Sequence, residues 1–197
     1  MSATSNGQDL IQRRAALLAA EPHLRARDIA ARLGISEAEL LALGSETATV
    51  TRLRPEWPQI IAAVPALGRV MALTRNDSVV HERKGIYGVL EGGSHVGLIV
   101  GKDIDLRIFF THWKSGFGVS ERLKEGGTRR SLQFFDAQGV AIHKIYETGM
   151  SDAAAFDALI AQFATDHSPL GIAPAPERNK PLADSEIDVT GFRAAWD

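Results

Sequence analysis

From Gly68 to Glu147 the chain repeats one unit: a short run rich in β-branched and aromatic residues, then a turn signal, at intervals of about ten residues. That is the rhythm of antiparallel strands. The runs place strands near 68–75, 78–83, 85–91, 95–100, 104–110, 116–123, 129–136 and 140–147. Asn76-Asp77, Gly92-Gly93, Gly126-Gly127 and Gln138-Gly139 supply reversals, because these residues tolerate the backbone angles of tight turns.

Helices flank this stretch. Leu10, Ile11, Ala15, Leu17 and Leu18 recur at helical spacing, and Ile29, Ala30 and Leu33 continue on a second, short helix stopped by Gly34. Ser36 and Glu39 form a capping box that opens a third helix, which Gly44 ends. Pro55-Glu56-Trp57-Pro58 starts another through about Val64, since proline is tolerated in a first helical turn. After the strands, Ser151 or Asp152 caps a helix over 151–166 whose Phe156, Leu159, Ile160 and Phe163 share a face.

The expected fold is therefore α+β: an N-terminal helical cap, a large antiparallel sheet and a C-terminal helix packed on it. Residues 1–67 form the helical region, and 68–167 the sheet with its closing helix. Residues 168–197 are a linker carrying Pro169, Pro174, Pro176 and Pro181, followed by the start of a helix, an order that leads to the expectation of a second domain. Lacking a regular apolar face, this tail is expected to pack poorly on the sheet.

Composition narrows the chemistry. The 197 residues include no cysteine, which removes disulfides, thiolate nucleophiles, cysteine zinc sites and iron–sulfur clusters, and fits a reducing cytoplasm. With 45% hydrophobic residues the chain can bury a core. Its 22 basic and 24 acidic side chains nearly balance, against bulk electrostatic capture of nucleic acid or anionic membrane. No run approaches the roughly 18 apolar residues of a membrane span, and the N-terminus lacks a signal-peptide pattern.

Most catalytic signatures fail. Gly93-Ser94-His95 lacks the flanking glycines of a nucleophile elbow, and His81-Glu82 is followed by Arg83-Lys84-Gly85 rather than a second zinc-binding histidine. Arg27 to Ser36 has the phrasing of a helix-turn-helix regulator. The would-be recognition helix, however, opens with Glu37 and Glu39, where phosphate contacts need cations. A helical cap on the sheet explains that segment better. Four histidines, His81, His95, His112 and His143, fall in or beside the strands; a neutral imidazole can ligate iron, although a strand histidine is more often packed or at the surface. In the run from Ile104 to Phe110, alternation puts Ile104, Leu106, Ile108 and Phe110 on one face and Asp105, Arg107 and Phe109 on the other. An arginine beside an aromatic suits a planar anionic ligand or an oxygen species on iron; the plainer reading is a surface Asp105–Arg107 pair.

Several segments then point one way. Val70 to Glu82, His95 to Ile99, Asp105 to Phe109, Arg130 to Asp136 and His143 to Tyr146 resemble, in order, the bacterial haemin-degrading or haemin-transport factors, the HemS-like proteins. The resemblance runs from about residue 10 to the C-terminus. It implies a cytoplasmic protein of two homologous repeats that receives haem after import and degrades it to release iron or hands it on. Haem is then ligand or substrate. Arg107 falls on the arginine placed on the distal side of the haem iron, and His81 on a histidine proposed as iron ligand in the first repeat.

The family's main iron-ligating histidine belongs to the opening helix of the second half, and Phe192 to Asp197 looks like the beginning of that helix. The chain thus resembles an N-terminal half, with a homodimer as one way to replace the other. The implied partners are haem, the haem-import machinery and a downstream haem oxygenase, with no nucleic acid and no membrane insertion. Three readings stand: haem degradation by a haem-oxygenase-like activity, non-catalytic haem carriage or storage, and the disfavoured DNA-binding regulator.

Overall fold

The computed structural model describes residues 3–76, 78–166, 170–173 and 183–196. Asp77 of the first expected reversal and the four linker prolines lie outside the described residues.

Three helices open the chain: α1 (Ala3–Ala20), α2 (Ala26–Leu33) and α3 (Glu37–Ala42). Gly34 ends α2 in the left-handed region at φ 71°, where its N–H reaches back to the carbonyls of Ala30 and Ala31. The capping box forms as read: the Ser36 N–H donates to Glu39 Oε2 at 2.8 Å, and the Glu39 N–H donates to Ser36 Oγ at 3.2 Å. Helix α3 turns Glu37, Ala38 and Leu40 inward. Glu37 pairs there with Arg75 and, at 3.7 Å, with Lys144, so the would-be recognition helix is a lid on the sheet.

Strand β1 (Ala48–Arg52) follows, outside the strands expected from Gly68 onward. Helix α4 (Trp57–Ala63) and a 3-10 turn (Val64–Leu67) lead into β2 (Val70–Arg75) and β3 (Val80–Gly85). Then come β4 (Leu90–Gly92), β5 (Val96–Ile99), β6 (Leu106–Phe109), β7 (Ser115–Arg122), β8 (Thr128–Phe135) and β9 (Ala141–Tyr146). Helix α5 (Ala153–Phe163), capped by Asp152, closes the domain, and α6 (Val189–Trp196) lies in the tail.

The strands divide between two antiparallel sheets rather than one. Six pair in the order β1-β7-β8-β9-β2-β3, and three in the order β4-β5-β6. The break comes at Gly85. A Cβ there would stand 2.6 Å from Asp103 Cβ, so the glycine lets the segment before β6 cross the end of β3. The expected strand over 85–91 shrinks accordingly to Leu90–Gly92.

The large sheet has two unlike faces. One carries Leu132, Phe134 and Ile145 against Trp57, Ile60 and Ile61 of α4 and Phe156, Ile160 and Phe163 of α5. The other meets the helical cap through Ala38, Phe117, Val119, Phe135 and Ala141. Leu170 and Ile172 join this second cluster, and Ala173 donates its N–H to Ala137 O at 2.7 Å. The start of the tail therefore docks, contrary to expectation, because two spaced apolar side chains find the edge of the cap. Helix α6 buries none of its residues, with Trp196 81% exposed.

Helix α5 lies directly on β7 at Gly118, where a Cβ would come within 2.6 Å of Ile160 Cγ1. Gly118→Ala is expected to destabilise the fold by about 1–3 kcal/mol through overpacking. Urea unfolding measures this, and trimming the clash with Ile160→Val should restore part of the loss.

Candidate functional site

Where the small sheet meets the core face of the large one, a cleft of about 420 Å³ opens. Leu106, Ile108, Phe109, Trp113 and Ile142 give it apolar walls. Arg107, His112 and Asp136 supply its charged or titratable groups. The alternation of β6 holds: Ile104, Ile108 and Phe110 are buried, whereas Asp105, Arg107 and Phe109 are exposed. Asp136 is occupied with its own turn, where Oδ1 accepts from the N–H groups of Gln138 and Val140, each at 2.9 Å. The Arg107 guanidinium is 74% exposed and meets Asp105 only at 3.9 Å, which leaves its donors available to a ligand.

Beneath the cleft lies an aromatic floor. The Trp113 ring stacks on Phe134 at 4.3 Å between centroids and on His143 at 6.0 Å, with Phe110 edge-on at 5.5 Å. Trp57 Nε1 donates to Trp113 O at 3.1 Å and so fixes the backbone that carries the ring.

His143 is buried in this floor, and both its nitrogens are engaged. Nε2 lies 2.6 Å from the Tyr87 hydroxyl and Nδ1 2.9 Å from Thr74 Oγ1. A neutral imidazole offers one donor and one acceptor, which two hydroxyls satisfy together. Burial pushes the imidazole down to about 4 and raises the Tyr87 phenol above its ordinary value. His143 is thereby a neutral structural bridge with no nitrogen left for iron.

The sequence-predicted residues sit as follows. Arg107 lines the cleft. His81 is exposed on β3 and lies one strand beyond the cleft's Thr74 wall: His81 pairs with Thr74, and Thr74 with His143, so the three share one face in a row. His95 lies in the β4–β5 turn beside Ser94, 3.2 Å from its hydroxyl, outside the cleft lining. His112, to which no role was assigned from sequence, is exposed in the cleft beside Arg107. Trp113 and Tyr87 escaped sequence reasoning because they lie in connections, where no period marks an inward side chain. His143 shares the core face of β9 with Ile145, two residues on, which is the one local signal that it points inward. Among the described residues no group of His, Cys, Asp and Glu side chains converges to hold a metal ion, and no helix is long and apolar enough to cross a membrane.

The bridge generates a pH prediction. Unfolded, the His143 imidazole takes up a proton near 6.5, whereas the folded chain resists until about 4. Between those values the unfolded state binds more protons, so acidification through this window costs stability, up to about 3 kcal/mol for one fully shifted group. Chemical denaturation from pH 7 to 4 should show this fall. His143→Gln, which cannot titrate, should flatten it.

Comparison with known proteins follows the same lines. Residues 34–163 match the haemin-degrading HemS.ChuX domain. The hemin transport protein HemS of Yersinia enterocolitica is 41% identical over 180 residues, which span 89% of this chain and 52% of that protein. Holo-PhuS, a heme-binding protein from Pseudomonas aeruginosa, superposes with a TM-score of 0.81 at 39% identity, over 96% of this chain and 56% of that one. ChuS, an E. coli heme oxygenase, superposes at 0.74 with 34% identity, over 95% and 54%. The chain thus spans about half the length of these relatives.

Proposed function

The chain belongs to the haemin-degrading HemS/ChuX family, and from that premise we propose that it is the haem-binding unit of an intracellular protein of haem utilisation, which breaks haem down or hands it on. The observation that carries this reading is the cleft itself: a largely uncommitted guanidinium and an exposed imidazole stand over an apolar, aromatic floor. Haem is a flat apolar macrocycle bearing two carboxylates and an iron. Residues of all the matching kinds are present.

Trp113, Phe109 and Ile142 would cover part of the macrocycle and exclude water from it. Haem brings the redox chemistry as cargo and substrate. Arg107 would act as the distal cation, donating N–H hydrogen bonds to negative charge that develops on the iron's open side. Permanently protonated, it cannot ligate iron. His81, at the rim beyond Thr74, is the proposed ligand, and His112 is its competitor within the cleft. Carriage alone would use the same residues, with Arg107 only shaping a transferable site. Spanning about half the length of its relatives, this chain should bind haem more weakly than a full-length relative wherever the site is shared between halves.

Three variants test the assignment. Haem titration should give a histidine-ligated spectrum that changes in His81→Ala and persists in Arg107→Ala. With reductant added, loss of the Soret band should slow by about tenfold or more in Arg107→Ala, as expected when a donor to developing charge is removed. An unchanged spectrum in His81→Ala together with a lost one in His112→Ala would transfer ligation to His112. A Soret band stable to reductant in the wild type would leave carriage and exclude breakdown by this chain.

A further inference from the structure

The opposite face of the large sheet carries a second chemical environment, distinct from the cleft at Arg107. Between the helical cap and the sheet lie two adjoining cavities of about 380 and 670 Å³. Both are lined by Ala26, Glu37, Lys144 and Tyr146. Both are open to solvent on one side, so a ligand can reach the buried charge beside them.

Charge on this face is unbalanced. Glu37 is the single carboxylate between Arg75 and Lys144, whose side chains are only 14% and 10% exposed. Two cations against one anion leave a net positive charge in a poorly solvated place, a costly arrangement unless an anion completes it. Around the two cavities as a whole, six cationic side chains face four carboxylates. Glu121 and Arg129 pair with each other at 2.9 Å, which leaves five cationic side chains and three carboxylates around the cavities. Burial lowers the Lys144 ammonium and raises the Tyr146 phenol, so both groups stand to gain from a charged neighbour or a hydrogen-bond acceptor.

The donors are arranged for a head group. The Tyr146 hydroxyl has no hydrogen-bond partner among the described residues, and it projects from the same face of β9 as Lys144, two residues away. Gln133 and Ser131, hydrogen-bonded to each other at 3.1 Å, line the smaller cavity next to them. Leu40, Leu41, Val119 and Phe135 add hydrocarbon to the wall, beside Arg14, Ser45 and the Glu121–Arg129 pair.

We propose that this cap-side cavity binds an amphipathic organic anion, its acidic head on Lys144 and Tyr146 and its apolar body against Leu40, Leu41 and Phe135. The site lies on the other side of the sheet from the haem cleft and does not depend on the proposed haem function.

Anilinonaphthalene sulfonate, whose fluorescence rises in apolar surroundings, is a suitable probe. Uncharged phenylnaphthylamine shares its aromatic body and is the control for charge. The wild-type chain should bind the sulfonate saturably, at one per chain, and at least about tenfold more tightly than the uncharged analogue, the worth of a charge-assisted contact. Lys144→Met should remove that preference. Glu37→Gln should tighten sulfonate binding severalfold, because the competing carboxylate is gone; a triad that served only to clamp the cap would give no such gain. Equal binding of both probes, or sulfonate binding indifferent to Lys144→Met, would overturn the proposal. If Lys144→Met fails to fold, the sign of the Glu37→Gln effect decides alone: tighter binding supports the site, and unchanged or weaker binding rejects it.

Discussion

The hydrogen-bond chain from Tyr87 through His143 to Thr74 is the constraint on which the functional end of this domain depends. Tyr87 belongs to the connection leading into the small sheet, while His143 and Thr74 belong to adjacent strands of the large one. The Tyr87–His143 bond therefore ties the lead into the small sheet to the large one beneath the cleft, and the Thr74–His143 bond joins β2 to β9 within the large sheet. Tyr87 and His143 are buried, so leaving either unpaired is costly, whereas Thr74 is exposed and can turn to water. Trp113, stacked on that ring, inherits its position. The same pairing engages both nitrogens of His143 and leaves Arg107 and His112 as the exposed nitrogen-bearing side chains of the cleft.

The large sheet divides its two faces by chemistry. Toward α4 and α5 it is apolar and tightly filled, to the point that Gly116 and Gly118 are needed where Trp57 and Ile160 lie against β7. Toward the cap it alternates hydrocarbon with Gln133, Ser131, Lys144 and Tyr146, and the packing leaves cavities. Arg130 secures one margin, with Nε on Asp157 at 2.6 Å and Nη1 on Glu147 at 3.3 Å, joining β8 to α5 and to the residue after β9.

Much of this was legible from residues alone. The turn-punctuated runs located every strand from β2 to β9, and the Ser36–Glu39 box and the apolar face of α5 appeared as read. Period and capping are local properties, and local physics decides them. Strand β1 was missed although Ala48 to Arg52 is rich in β-branched residues, because the segment is short and pairs with β7, far along the chain. The division into two sheets depends on what crosses Gly85, a contact between distant segments that no local pattern encodes. The site divides in the same way. Arg107 emerged from alternation, whereas Trp113, Tyr87 and the engagement of His143 depend on tertiary neighbours.

The most direct test of the account is diffraction from haem-soaked crystals of this chain, recorded at the iron absorption edge. The account predicts one strong anomalous peak in the Arg107 cleft, above Trp113, within ligand reach of His81 or His112, with Tyr87, His143 and Thr74 unmoved. An iron peak in the cap-side cavity would contradict it, as would crystals that take up haem without any ordered iron.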